Sequence, residues 1–187
     1  MDFSVAPTVA FRLLYGLVII GYERRSIIHV NVTEQPSSQW VIWQLPETFP
    51  YDCASKYIVF DRDSIFGCDV RVAIKSFANK PARNSYRIPW QNGVVEHWMG
   101  SCRRELLDHI VVFNENCLRR LLRAHIASHY NRVRTHCSIE KDAREERPVM
   151  RKPKSMAPLV GRPRCGGLHH RYEWGAMQAE SPLFGPL

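Results

Sequence analysis

Residues 11–33, FRLLYGLVIIGYERRSIIHVNVT, place two apolar, β-branched runs on either side of one polar break. The first run, 11–20, is interrupted only by Arg12 and stops at Gly21, a turn former. It is too short to cross a bilayer, which takes about 20 apolar residues. The second, 26–33, is rich in β-branched residues and partly alternates. Residues 21–25 between them suit a hairpin. With the short apolar stretch 3–5 ahead of them, these runs predict an antiparallel meander of three strands.

Working outward, a helix is expected next. Pro36 stands near its start with Ser37 or Ser38 as cap, and Trp40, Val41, Trp43 and Leu45 fall at helical spacing. Pro46 is expected to end or kink it. Residues 57–60, YIVF, read as a short buried strand running into Asp61-Arg62-Asp63. A helix is expected over 69–77, then loop from 79 to 92 with one strand near 85–88. The second half reads as helical: 93–107 contains no proline, and Asn114 or Asn116 can cap a helix reaching about Tyr130. Beyond Asp142 the chain is rich in Arg, Lys and Pro, which predicts an irregular, exposed basic tail. Strands and helices in this order predict a mixed α/β domain rather than a βαβ repeat.

The chain has 187 residues, which suits one domain plus a tail. Its 45% apolar and 24% charged residues exclude wholesale disorder and collagen. Asp2 sits where a signal peptide carries positive charge, so export is not expected. The six cysteines form no CxxC pair and match no zinc-finger spacing; they read as reduced thiols of a cytoplasmic protein. His169-His170 read as an exposed polar pair rather than metal ligands. The formal net charge is +8, and it is uneven: +1 over residues 1–96 and +7 over 97–187. A basic half joined to a near-neutral half points to a polyanion partner, most commonly nucleic acid.

Three acids stand out by position: Asp2 on the first strand, Asp61 at the end of YIVF, and Glu96 in the first turns of the helix from Gly93. Acids at strand ends and helix starts can converge on one sheet edge, where loops leave room for a substrate. Hard divalent cations take oxygen ligands, and two of them can clamp the attacking and leaving oxygens of a phosphoryl transfer. By spacing alone, most such acids are solvated bystanders.

The segment PWQNGVVEHWMGSCRRELLDH, residues 89–109, resembles the third catalytic motif of insertion-sequence transposases and retroviral integrases. HYNRVRTHCSI, 129–139, resembles the Tyr-Asn-x-x-Arg-x-His-x-Ser-Leu segment of that family. FDRDSIFG, 60–67, is similar to its second-Asp motif, and MDFSV to its first strand. GGLHHRYEW, 166–174, resembles the C-terminal end of one transposase subgroup. Together these cover residues 2 to about 174.

The resemblance implies an RNase H-like mixed sheet of about five strands flanked by helices, with strand 1 central. The integrase catalytic core would span 1–142, N-terminally truncated, and the basic tail 143–187. Asp2, Asp61 and Glu96 would be catalytic and would hold two Mg²⁺ or Mn²⁺ ions. Asp61 and Glu96 are 35 positions apart, close to the family's interval. Asp63 rivals Asp61 and is read as a turn residue or tuning neighbour. Phosphodiester cleavage and strand transfer would then need no protein nucleophile, since metal activates a water or a DNA 3′-hydroxyl. Gln91 and Asn92, Arg103 and Arg104, and Arg132, Arg134 and His136 are the implied DNA contacts. Turn chemistry competes for the first pair and a solvated helix face for the second. DNA, as mobile-element ends and target, and a second copy of the chain are the implied partners.

Three features depart from the family: a chain starting one residue before its first Asp, Pro46 inside the expected first helix, and the poorly matching stretch 79–88. They support a competing expectation, that the chain is a basic nucleic-acid-binding remnant without catalysis. A nuclease of the same fold that only hydrolyses is a third.

Overall fold

The computed structural model describes residues 1–49, 57–85, 92–134, 143, 152–153 and 157–175. Strands β1 (Asp2–Pro7), β2 (Leu13–Ile20) and β3 (Ile27–Thr33) form the expected antiparallel meander. The register runs Asp2↔Val18 to Pro7↔Leu13 and Tyr15↔Thr33 to Ile20↔Ile27, with an irregularity between Ile19 and Ile20. Helix α1 (Ser38–Thr48) follows, then β4 (Tyr57–Phe60), α2 (Cys68–Ser76) and β5 (Lys80–Arg83), with β5 parallel to β4. Helices α3 (Gly93–Glu105) and α4 (Glu115–His125) complete the second half, and α4 runs into a wider π turn, Ile126–Tyr130. Strands β6 (Leu159–Arg164) and β7 (His169–Trp174) form a C-terminal hairpin.

The three-stranded sheet is packed on both faces. Leu14, Val18 and Ile20 of β2 join a layer with Val95, Trp98 and Cys102 of α3 and Leu118 and Leu122 of α4. Leu17 and Ile19, of the opposite parity, join Val41 and Leu45 of α1, Ile58 and Phe60 of β4, and Val70 and Ile74 of α2. A strand buried on both sides has no need of polar alternation, which accounts for the unbroken apolar run. Gly16 lies on the α4 side; a Cβ there would come within 2.9 Å of Ser4 Oγ, which would have to turn away, while Leu122 Cδ1 at 3.7 Å would stay at ordinary contact.

The helix ends follow local chemistry. Ser37 caps α1, its side chain accepting from Trp40 N at 3.2 Å, and Asn114 caps α4, accepting from Cys117 N at 2.9 Å. Asn131, just past the π turn, clamps the start of β3. Its amide accepts from Ile27 N and donates to Ile27 O, both at 3.1 Å and buried. Tyr130 beside it meets the fully buried Trp98 edge-on, with ring centroids 6.1 Å apart.

Several expectations change. Pro46 does not end α1, which continues to Thr48. Its ring costs one backbone bond, while Phe49 N still donates to Leu45 O at 2.9 Å and Leu45 and Phe49 are buried in the core. The strand expected near 85–88 lies largely outside the described residues, whereas the loop expected from 79 carries a strand at Lys80–Arg83, because Pro81 is tolerated on the edge of a two-stranded ladder. One five-stranded sheet is not formed among the described residues. The ladders are β1-β2-β3, β4-β5 and β6-β7, and β2, not β1, is central to the first. Met1, just before β1, reaches β4 by donating its N to Val59 O at 2.6 Å. The tail is not irregular throughout. Residues 159–174 pair as a hairpin around Cys165, Gly166 and Gly167, whose φ values of 50°, 69° and 95° make the tight turn; glycine adopts such angles without strain. β6 is largely exposed, as the composition implies, while β7 is mostly half-buried.

The hairpin docks on α4 through histidines. The His169 ring stacks on His129 at 3.9 Å and 7°, His169 Nε2 lies 3.0 Å from Glu105 O, and His125 is fully buried beside both rings. Burial first, then the neighbouring histidine charges, pushes His125 down to about 3; burial and His169 push His129 down to about 4, partly opposed by Glu105. These rings are held neutral. Their contribution to stability is complete above the unfolded-state value near 6.5 and is lost as pH falls from there toward 4 and 3. The urea midpoint should therefore fall between pH 7.5 and pH 5, and fall less in His125→Phe. An equal acid loss in that variant would remove the histidine cluster as the cause.

Candidate functional site

Strand parity positions the acids. Met1 and Phe3 of β1, and Ile58 and Phe60 of β4, belong to the layer under α1 and α2. Side chains alternate along a strand, so Asp2 and Asp61 fall to the opposite side, toward the start of α3. Asp61 is the first residue after β4 and is exposed.

Asn92 closes this corner. It occupies the cap position of α3 but makes no side-chain cap bond. Its Nδ2 donates instead to Asp2 Oδ2 at 2.8 Å, while Asp2 Oδ1 accepts from Phe3 N at 2.8 Å. An Asn cap contributes about 1 kcal/mol to a helix when it is made, and here it is given up to hold a carboxylate. Asn92 is buried, and its Oδ1 has no partner among the described residues.

The Asp2 carboxyl is held above its ordinary range. Burial is the main cause, and the charge of Asp61 adds to it; the Phe3 and Asn92 hydrogen bonds and the Met1 ammonium oppose it. Asp61 thus lies within charge reach of Asp2. Asp63 is engaged elsewhere, accepting from Ile65 N at 3.0 Å and Ser64 Oγ at 3.2 Å as the cap of a single turn. Asp61 Oδ1 accepts from Arg62 N at 2.6 Å, and Arg62 Nε donates to Asn84 O at 2.8 Å, fixing the chain beyond β4.

Glu96 is exposed in the first turn of α3, four residues after the buried cap residue Asn92. Arg103 falls seven residues beyond Glu96 on the same stripe, with Arg104 beside it, and both are exposed. Arg103 meets Asp108 at 3.5 Å in a solvated pair. Arg132 is exposed just past the π turn. Arg134 is tied inward: its Nε donates to Glu105 Oε1 and Oε2 at 2.9 and 3.0 Å, and its guanidinium lies 5.6 Å from the Tyr130 ring centroid. Gln91 and His136 lie outside the described residues. Asn92 is therefore bonded to Asp2 with Asp61 in charge reach, Glu96 and Arg103 are exposed along α3, and Arg134 pairs with Glu105. The bond from Asn92 to Asp2 and the Asn131 clamp went unread in the sequence. The only signal was an Asn at each helix boundary, where capping is the ordinary explanation.

Among the described residues, no three His, Cys, Asp or Glu side chains are grouped closely enough to hold a metal ion. The donors at the corner are nevertheless of the hard-oxygen type: two carboxylates of like charge and a buried amide oxygen without a partner. That set fits a divalent cation, which would relieve the carboxylate repulsion. Cys102, in the last turn of α3, has its thiol pushed up to about 12 by burial and by Glu105, which leaves it inert as a nucleophile.

No protein-family model matches the chain, and no curated protein sequence matches it. A solved structure does. The chain is similar to one in the cryo-EM structure of the simian T-cell lymphotropic virus intasome in complex with PP2A regulatory subunit B56 gamma. The TM-score is 0.58 at 16% sequence identity, covering 94% of this chain and 66% of that one. The likeness is one of fold. No helix among the described residues is long and apolar enough to cross a membrane.

The corner makes a direct prediction. If Asp61 helps to raise the Asp2 carboxyl, Asp61→Asn should lower the pH at which Asp2 titrates, and Asn92→Ala should raise it. Carboxyl ¹³C titration by NMR reads both. An unchanged Asp2 titration in Asp61→Asn would separate the two acids.

Proposed function

We propose that this chain is the core of a DNA strand-transfer enzyme of the transposase and integrase kind, with an RNase H-like arrangement. In this reading Asp2, Asp61 and Glu96 are its acids. The observation that carries it is the paired corner of Asp2 and Asp61, closed by an Asn92 that has surrendered its capping role to reach Asp2. The fold likeness to an intasome chain supports the same reading.

In this proposal Asp2 and Asp61, with the Asn92 amide oxygen and Glu96 along α3, would hold two Mg²⁺ or Mn²⁺ ions. Those ions would supply the positive charge that phosphodiester cleavage requires. The chain's own residues do the positioning. Asn92 fixes the rotamer of Asp2, and the turn capped by Asp63 fixes the exit of β4 so that Asp61 stays at the corner. Arg103 and Arg104 lie along the α3 face beyond Glu96, where phosphates of a bound strand would meet them. Arg132 belongs to the same set. The partners in this reading are DNA, as element ends and target, and further copies of the chain.

A second reading has one observation behind it: the exposed Glu96 is not gathered with two other acids. It takes the chain as a basic nucleic-acid-binding protein without catalysis. Nicking of supercoiled DNA in Mn²⁺ separates the two. The strand-transfer reading expects nicking, expects Glu96→Gln to reduce it by about 10²-fold or more, and expects DNA retention in a gel-shift assay to persist in that variant. DNA binding with no nicking in the unaltered chain would favour the second reading.

A further inference from the structure

The C-terminal hairpin meets the body at its turn. Cys165 Sγ lies 3.5 Å from Ser128 Oγ, Leu168 packs on the apolar layer of α3 and α4, and His169 stacks on His129. Away from the turn, the register sorts the side chains of β6 and β7 by chemistry, because cross-strand partners share a face. Every Arg and Glu of the two strands, Arg162, Arg164, Arg171 and Glu173, falls on the face of the docking His169. The other face carries His170, Tyr172 and Trp174 along β7, opposite Pro163, Gly161 and Leu159. Tyr172 lies over Gly161: a Cβ there would come within 3.2 Å of Tyr172 Cε1 and 3.8 Å of His170 Cδ2. The two rings therefore lean across the ribbon, with centroids 6.4 Å apart and planes at 33°. One side of the Tyr172 ring covers the glycine, yet the residue is still 67% exposed. His170 is exposed and Trp174 half-buried.

An aromatic ring laid over a strand glycine supports a two-stranded ladder, and Tyr172 alone would do that. Three rings of one parity, on a face that holds no Lys, Arg, Asp or Glu, go further. We propose that the stripe of His170, Tyr172 and Trp174 is a stacking platform for the unpaired bases of single-stranded nucleic acid. Every base has a π-face, so flat, open rings bind an unpaired strand with little regard to its sequence. The charge of the hairpin selects the same partner. Three Arg stand against one Glu; Glu173 pairs with Arg162, which leaves a positive surplus. Among the described residues both strands are edges, so the long Arg side chains reach round the ribbon to the phosphates on either side of a stacked base. An apolar peptide would draw nothing from those cations, and a duplex keeps its base faces stacked inside. The platform is separate from the Asp2 corner, and its failure would leave the nicking reaction untouched.

The test uses the whole chain and two fluorescein-labelled strands of equal phosphate charge. One is an oligodeoxyadenylate twelve nucleotides long, the other an abasic deoxyribose-phosphate chain of the same length. Anisotropy should show the adenylate bound about fivefold or more tighter than the abasic chain, the worth of one stacked base at the least. By NMR the Tyr172 ring protons should move upfield with the adenylate and stay in place with the abasic chain, a reading that needs no variant. Tyr172→Leu keeps apolar cover over Gly161; it should lose about fivefold or more for the adenylate and nothing for the abasic chain. Amide exchange in β6 and β7 checks that the hairpin persists, and His170→Leu, which leaves Tyr172 over Gly161, is the second variant. Equal affinity for the two strands, Tyr172 ring protons that do not move, or unchanged adenylate affinity in both variants would overturn the platform. Equal ring shifts with a blunt duplex would overturn it as well. So would ring shifts that grow with protein concentration alone, which would mean that a second copy covers this face.

Discussion

Met1 and Phe3 are drawn into the apolar layer beneath α1 and α2, and Asp2 between them must then face the other way. The same alternation in β4 buries Ile58 and Phe60 and turns Asp61 to the side of Asp2. Period-two geometry thus sets two acids at one corner before any interaction between them is considered. It also explains the cost of a slip. Moving β1 by one residue would bury Asp2 among Phe60, Phe66 and Leu45, where an unpaired carboxylate is not tolerated.

At that corner a helix cap gives way to a bond across the fold. A scaffold would cap α3 with Asn92, as Ser37 and Asn114 cap α1 and α4. Here the amide leaves the helix end to hold Asp2, its oxygen is left buried without a partner, and a second carboxylate stands close enough to raise the first. Stability is supplied elsewhere. The Asn131 clamp and the buried Trp98–Tyr130 pair lock α3 and the π turn against the sheet, so the start of α3 is held on a rigid base.

Much of this was legible in the chain itself. The meander could be read from residues 11–33 because β2 is buried on both faces and so carries an unbroken apolar run. YIVF was legible as a strand from its short apolar, β-branched run, two of whose residues, Ile58 and Phe60, are buried, and Asp61 stood out by following it. What could not be read depended on distant partners. Pro46 is carried inside α1 because Leu45 and Phe49 anchor the last turn in the core, which no local signal shows. The strand Lys80–Arg83 exists because β4 offers it an edge. The hairpin at 159–174 was hidden by its basic composition; its turn glycines and its histidine contacts to α4 outweigh that composition. Asn92 was read as a contact to DNA or a turn former, and its bond to Asp2 spans ninety residues of sequence.

The central claim is that Asp2 and Asp61 frame one cation-binding edge of the sheet, with Glu96 completing it along α3. Anomalous diffraction from crystals soaked in Mn²⁺ tests that most directly. The account predicts Mn²⁺ peaks bridging carboxylate oxygens of Asp2 and Asp61, with Glu96 drawn toward them and oxygen ligands at about 2.1 Å, close to the Mg²⁺ range. Carboxylates of Asp61 and Glu96 on opposite faces of the sheet, or no peak at the corner in saturating Mn²⁺, would contradict it.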